Sequence, residues 1–176
     1  MFYYAKLSLA ILSVFIITGC GVKNPIRTAQ DVDIDRYMGE WYVISHIPTF
    51  IETESYNAVE IYEKKSERKI ATTFRFNKGA LDGPVKEYNP MGFLTGDADN
   101  AIWKMQFLWP FKADYRIVYL NDDYTTVVVG RNKRDYVWVM ARTTSIPDDE
   151  YTNILTMLKE EGYDLSNLRE VPHDSI

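Results

Sequence analysis

Between Trp41 and Met140 the apolar side chains return at every second position, in short runs that each end in turn chemistry. That period belongs to strands with one buried face, and connections this short suit antiparallel neighbours rather than parallel strands joined by crossover helices. Trp41, Val43, Ser45 and Ile47 form the first face, opposite Tyr42, Ile44 and His46. Pro48 to Ser55 reads as a long loop, and the next run sets Asn57, Val59 and Ile61 against Ala58, Glu60 and Tyr62. Glu60 is expected to mark the outer face of that strand.

The charged stretch Lys64 to Lys69 reads as a hairpin turn, after which Ile70, Thr72, Phe74 and Phe76 share a face. Val85 to Leu94 fits a strand poorly, because Pro90 and Gly92 belong at an edge, bulge or bend. Trp103, Met105 and Phe107 alternate cleanly; so do Tyr115, Ile117 and Tyr119, then Val127 to Val129, then Tyr136, Trp138 and Met140. Eight short strands at hairpin spacing predict an up-and-down antiparallel barrel, an all-β fold. The period then changes. Pro147 followed by Asp148, Asp149 and Glu150 starts a helix, Ile154, Leu155 and Leu158 give it one apolar stripe, and Gly162 ends it. Such a stripe has to be covered, and the outer wall of the barrel is the surface available.

With 176 residues the chain suits one well-buried domain. Its net charge of −5 and lack of a long basic run argue against a nucleic-acid partner. The single cysteine, Cys20, excludes an internal disulfide and any zinc site built from several cysteines, and no metal or other cofactor is expected.

Residues 1–19 read as a secretory leader, with Lys6 followed by an apolar core from Leu7 to Ile17. That core is far below the ~20 residues that a membrane-spanning helix needs. It closes on Ile17-Thr18-Gly19-Cys20, which resembles the bacterial lipoprotein processing box. The resemblance implies cleavage before Cys20 and acylation there, so that Cys20 is an anchor and not a nucleophile. Gly21 is not the aspartate that resembles an inner-membrane retention signal, and the expected location is the outer membrane with the domain facing the periplasm. Residues 20–34, without periodicity, read as the lipidated N-terminus and a tether, and 35–176 as the barrel with its helix.

Gly39-Glu40-Trp41, the run Tyr115 to Tyr124 and the run Tyr136 to Arg142, in that order behind such a leader, resemble the lipocalin family and within it the bacterial outer-membrane lipocalins. The resemblance implies that Arg142 packs across Trp41 at the closed end, with Gly39 beside them, as structural barrel closure. It also implies a cavity for fatty acid or lysophospholipid, in envelope lipid storage or transport. Expected ligand contacts are Val43, Ile61, Phe74, Phe76, Met105 and Phe107 from the first half of the chain. Tyr115, Ile117, Val129, Tyr136 and Trp138 are expected from the second half, with Lys112 and Arg131 for a head group. Trp103, Tyr119 and Met140 are expected to be core, and His46 to point outward.

The protein is expected not to be an enzyme, since no nucleophile, acid pair or Ser/His/Asp set stands at a suggestive spacing. The alternatives are a lipocalin-fold enzyme acting on a lipid, or a scaffold with a filled barrel that presents Tyr42, Tyr62 and Trp109 to a partner. A homodimer is among the partners open to it.

Overall fold

A computed structural model describes residues 24–174; the leader and Cys20 lie outside the described residues. The barrel strands are β1 (Gly39–Ile47), β2 (Ser55–Ser66), β3 (Lys69–Lys78), β4 (Val85–Tyr88), β5 (Met91–Leu94), β6 (Ile102–Leu108), β7 (Phe111–Leu120), β8 (Thr126–Gly130) and β9 (Val137–Ala141). All pairings are antiparallel, and β1 pairs with β9 to close the sheet into a barrel. Closure removes the exposed edges that an open sheet of this length would carry.

β4 and β5 share one of eight positions around the barrel. Both pair with β3, but only β5 continues to β6. The break falls at Asn89-Pro90, where proline has no N–H to give the ladder. Among the described residues β4 therefore has no strand partner towards β6, and the wall is parted there near one end.

Asn24 to Asp33 is not the free tether expected for this stretch. Ile26 and Val32 are buried on the barrel, and the Ala29 amide donates to the Ile117 carbonyl at 2.9 Å. Burying an isoleucine or valine contributes about 1.5–3 kcal/mol, enough to hold a short segment down. The segment leads into a single helical turn, α1 (Ile34–Tyr37), whose first N–H groups are capped by the Asp33 side chain.

The C-terminal helix α2 (Asp148–Glu160) lies on the outer wall. Its Ile154 and Leu158 pack with Ile47, Val118, Val128, Val137 and Val139, the outward residues of three neighbouring strands and β1. Beyond it a two-residue strand, β10 (Arg169–Glu170), pairs with the second half of β1. The tail then covers the outside of β1 and β2: the Asn57 amide donates to the Pro172 carbonyl, and His173 Nε2 donates to the Val43 carbonyl at 2.8 Å.

Three departures from simple alternation decide which side chains face inward. The β1–β9 register shifts between Val43 and Ser45. A bulge of this kind adds one residue and exchanges the faces beyond it. Ser45 and Ile47 consequently lie under α2, while His46 is fully buried opposite Trp138. The expectation that His46 points outward is overturned. A second shift between Ile117 and Tyr119 turns Tyr119 to the outer cluster, so it is not part of the barrel core, whereas Trp103 and Met140 are. The third lies in β2, whose register against β3 shifts between Tyr56 and Val59: Glu60 pairs with inward Trp41 and points inside, together with Ala58 and Tyr62.

Candidate ligand-binding site

One end of the barrel is sealed by a stack built from the chain's most constrained residues. Arg142 Cζ sits 3.7 Å from the Trp41 ring centroid, and the guanidinium donates to the carbonyls of Arg36, Tyr37, Met38, Glu40 and Tyr124. Trp41 Nε1 donates to the Tyr37 carbonyl at 2.8 Å. Gly39 has a φ of +96°, and a Cβ on it would stand 3.3 Å from Arg142 Nη1, so the turn and the close approach both call for glycine.

Above this floor the lower barrel is solid. Tyr37, delivered by α1, packs against Trp41, Tyr62 and Trp103 at ring separations of 5.3–5.4 Å, and Trp103 stacks on Tyr115 at 5.1 Å. Their hydroxyls form a chain. Tyr115 bonds Tyr37 at 2.7 Å and Tyr62 at 2.8 Å, and Tyr62 donates to Glu60 Oε2. Burial raises the pKa of all three phenols, which keeps them neutral donors.

The upper half is open and holds a cavity of about 410 Å³. This lies within the range of small-molecule sites, ~300–1,000 Å³. Its lower surface is made by Glu60, Thr72, Phe74, Met105 and Tyr115; its walls by Tyr88, Pro90, Phe107, Tyr136 and Trp138; its lip by Thr49, Phe50, Ile51, Glu52, Asp114 and Arg131.

The polar groups fall in two layers. In the deep layer, burial pushes the Glu60 carboxyl up to about 7 against the hydrogen bond from Tyr62, so a proton on it costs little at neutral pH. Near the lip, Glu52 is also buried, which works to raise it. The neighbouring His46 and the donors Thr49 and Trp138 outweigh that and hold it below the usual carboxylate range. Glu52 accepts from the Thr49 amide and hydroxyl through one oxygen and from Trp138 Nε1 at 3.1 Å through the other, with His46 Nδ1 3.5 Å away. These bonds fold the loop 48–54 over the cavity. On the opposite lip the Asp114 carboxylate is held down, against its partial burial, by the Asn132 amide, Arg116 and Lys104. The Arg131 Nε is buried without a hydrogen-bond partner, 3.5 Å from Asp135.

Six of the eleven expected contacts line this cavity: Phe74, Met105, Phe107, Tyr115, Tyr136 and Trp138, together with Arg131. Val43, Phe76, Ile117 and Val129 do not; they are buried in the packed core. Ile61 is on the outer wall, because β2 turns Glu60 inward. Lys112 does not line the cavity either: its Nζ lies 3.6 Å from the Phe93 ring centroid. Tyr62 is fully buried, and Tyr42 is edge-on to His173, so neither is the free surface group that the scaffold alternative requires. Glu60, Thr72 and Tyr88 were not expected at the site; the loop 48–55 was expected at the mouth, but Glu52 and residues 49–51 were not among the expected contacts. Asn57 takes a φ of +48° inside β2, and an asparagine at that place in a strand run was the one sequence hint of the irregularity.

A barrel sealed by an arginine over a first-strand tryptophan, with a blind apolar cavity and a helix on its wall, has relatives. Residues 32–173 match the family model described as a lipocalin-like domain. The chain belongs to the lipocalin-like family. The outer membrane lipoprotein Blc of Escherichia coli is 27% identical over 170 residues, covering 89% of this chain and 90% of that one. Temperature-induced lipocalin-1 of Arabidopsis thaliana is 26% identical over 164 residues, covering 85% and 84%. Among solved structures, insecticyanin of the tobacco hornworm Manduca sexta superposes with a TM-score of 0.67 at 12% identity, covering 86% of each chain. A lobster apocrustacyanin gives 0.62 at 11%, covering 88% and 94%. At such identities the superpositions establish the fold: a closed eight-position antiparallel barrel with a C-terminal helix.

Proposed function

We propose that this lipocalin is a membrane-anchored, non-enzymatic carrier of a single-chain amphiphile, a fatty acid or lysophospholipid, in envelope lipid storage or transport. The observation that carries the reading is the cavity itself: blind, apolar along its walls, and charged mainly at its lip. An acyl chain gains about 25 cal/mol for each Å² it buries against Phe74, Met105, Phe107, Tyr136 and Trp138. Arg131 at the lip, whose Nε–H makes no hydrogen bond and has the Asp135 carboxylate 3.5 Å away, suits a carboxylate or phosphate left at the mouth. The names of the bacterial relatives, outer membrane lipoproteins, support acylation at Cys20 and an outer-membrane location, and the proposal places the domain on the periplasmic side.

Native mass spectrometry of protein purified under mild conditions is expected to show about one acyl lipid per barrel. Ala113, exposed and lining the mouth, offers a clean block. Ala113→Trp is expected to leave stability within about 0.5 kcal/mol of the parent, as surface changes usually do, and to abolish lipid uptake. A barrel that co-purifies empty and refuses a fluorescent acyl probe would sink the reading. Arg131→Gln tests the head group. It is expected to weaken fatty acid or lysophosphatidate about ten- to hundredfold, since a hydrogen bond to a charged group contributes about 1.5–3 kcal/mol. Binding of an uncharged monoacylglycerol should not change, and equal losses for both ligands would remove Arg131 from head-group recognition.

A further inference from the structure

Among the described residues, the seven large apolar side chains that stand most exposed are Phe50, Leu81, Val85, Phe107, Leu108, Trp109 and Phe111. All seven lie at the open end: Phe50 on the β1–β2 loop, Leu81 and Val85 at the β3–β4 turn, the rest on the β6–β7 hairpin. The hairpin tip is the most apolar, with Leu108 70%, Trp109 81% and Phe111 74% exposed. Single exposed apolar residues are ordinary, but their collection at one end of a barrel marks a surface that meets something apolar.

The chain's own path says what that is. Asn24 is held at this same end, where its carbonyl accepts from Arg134 Nη2 at 3.1 Å, and the Ile26 amide donates to Asn132 Oδ1. Both partners belong to the β8–β9 turn, next to Arg131 and Tyr136 of the cavity lip. Asn24 stands four positions after Cys20. Fully extended, that stretch reaches about 14 Å, at no more than ~3.6 Å per residue. The sealed end lies farther off by roughly 25 Å, the rise of ten-residue strands tilted by ~40°. An acyl anchor on Cys20 therefore cannot reach a bilayer that the sealed end faces, and it can reach one that the open end faces.

We infer that the open end docks face-down on the leaflet that holds the Cys20 anchor, with Leu108, Trp109 and Phe111 inserted among the acyl chains, so that lipid moves between leaflet and cavity without crossing water. This rests on the proposed lipidation of Cys20. The parted wall beside β4 supports the route: Tyr88, Asn89, Pro90 and Phe107 flank the gap and line the cavity, so a chain sliding off the hairpin meets apolar surface throughout. Charges at this end are mixed, Lys112, Lys133 and Arg134 against Glu54, Asp82 and Asp135. Docking is thus apolar in origin and insensitive to salt.

The test uses the full acylated protein in vesicles of phosphatidylethanolamine and phosphatidylglycerol with brominated acyl chains. Trp41 and Trp103 are fully buried and Trp138 is held in the barrel wall, so the emission lost on Trp109→Phe belongs to the hairpin. That component is expected to be quenched by bromolipid and shielded from aqueous iodide, in low and high salt alike. Quenching by iodide and not by bromolipid overturns the proposal. Shielding from both, with a dimer in sedimentation, assigns the surface to a second copy and equally overturns it. Leu108→Ser with Phe111→Ser, both exposed, should keep thermal stability while losing bromolipid protection and slowing transfer of an acyl probe out of the vesicle. Lipid occupancy measured on the same preparation separates the two readings, because an empty barrel with a quenched Trp109 refutes the carrier and not the docking.

Discussion

Trp41→Ala is expected to lower the free energy of unfolding by about 3–5 kcal/mol, the range for removing a buried tryptophan from a core that cannot collapse. The neighbours explain why collapse fails. Arg142 is pinned by five carbonyls, and Tyr37 is held by its bond to Tyr115, so neither can move into the space left by the indole. The indole also covers the guanidinium face. At about 2–4 °C per kcal/mol for a domain of this size, the midpoint should fall by roughly 6–20 °C. Arg142→Ala should cost nearly as much for a different reason, since carbonyls at the entrance to β1 lose their donor in a partly buried setting. Denaturant titration measures both. Ligand affinity of the folded fraction should be unchanged, because the cavity lies beyond the Tyr37, Tyr62 and Trp103 layer; a variant of full stability that had lost binding would place the ligand at the wrong end.

The barrel was legible because strands with one buried face must alternate, and this chain alternates from Trp41 to Met140. The helix was legible for the same reason at its own period: Ile154 and Leu158 are the residues that α2 buries. What alternation does not encode is a bulge. At Ser45 and again past Ile117 one extra residue reverses the faces, and no change in hydrophobicity announces it, because Ser45, His46, Val118 and Tyr119 are each acceptable on either side. Glu60 misled for a sharper reason. A carboxylate normally marks the wet face, but here the C-terminal tail covers the outside of β2 and buries Val59, while the cavity leaves room for a carboxyl within.

The same physics limited the site. The six expected contacts that line the cavity belong to the upper half of the barrel. Val43, Ile117 and Val129 are inward too, but below them the barrel is filled, and the filling depends on Tyr37. That side chain arrives from a single helical turn, which four residues of sequence cannot signal when they stand against a strand start. The loop 48–54 was legible as a connection at the mouth, but not its fold over the cavity through Glu52, whose bonds run to Thr49 and to Trp138, the residue that the inward-turned His46 stands opposite.

Glu60→Gln is expected to stabilise the protein by about 3 kcal/mol at pH 8 and by nothing below about pH 4.5. The folded carboxyl titrates at about 7 against an ordinary 4.5. Between those values the folded state holds more protons than the unfolded one, so stability falls as pH rises, and above 7 the full cost is present. The difference between 7 and 4.5, at ~1.36 kcal/mol for each tenfold in proton affinity, sets the size of the effect. Glutamine keeps the bond from Tyr62 and removes the charge. Glu52 contributes with the opposite sign, adding stability that is lost only as the pH falls below the usual carboxylate range; its charge also raises Glu60, so parent and variant are compared above that range, where Glu52 stays ionised in both. Lipid in the cavity should exclude water from Glu60 and favour its proton further. Affinity for lysophosphatidylcholine, whose head group does not titrate here, should therefore decline as pH rises through 7 in the parent and stay flat in Glu60→Gln. Parallel stability curves for the two proteins would mean that Glu60 is already wet and ionised in the folded state; parallel affinities alone would place the acyl chain short of the floor.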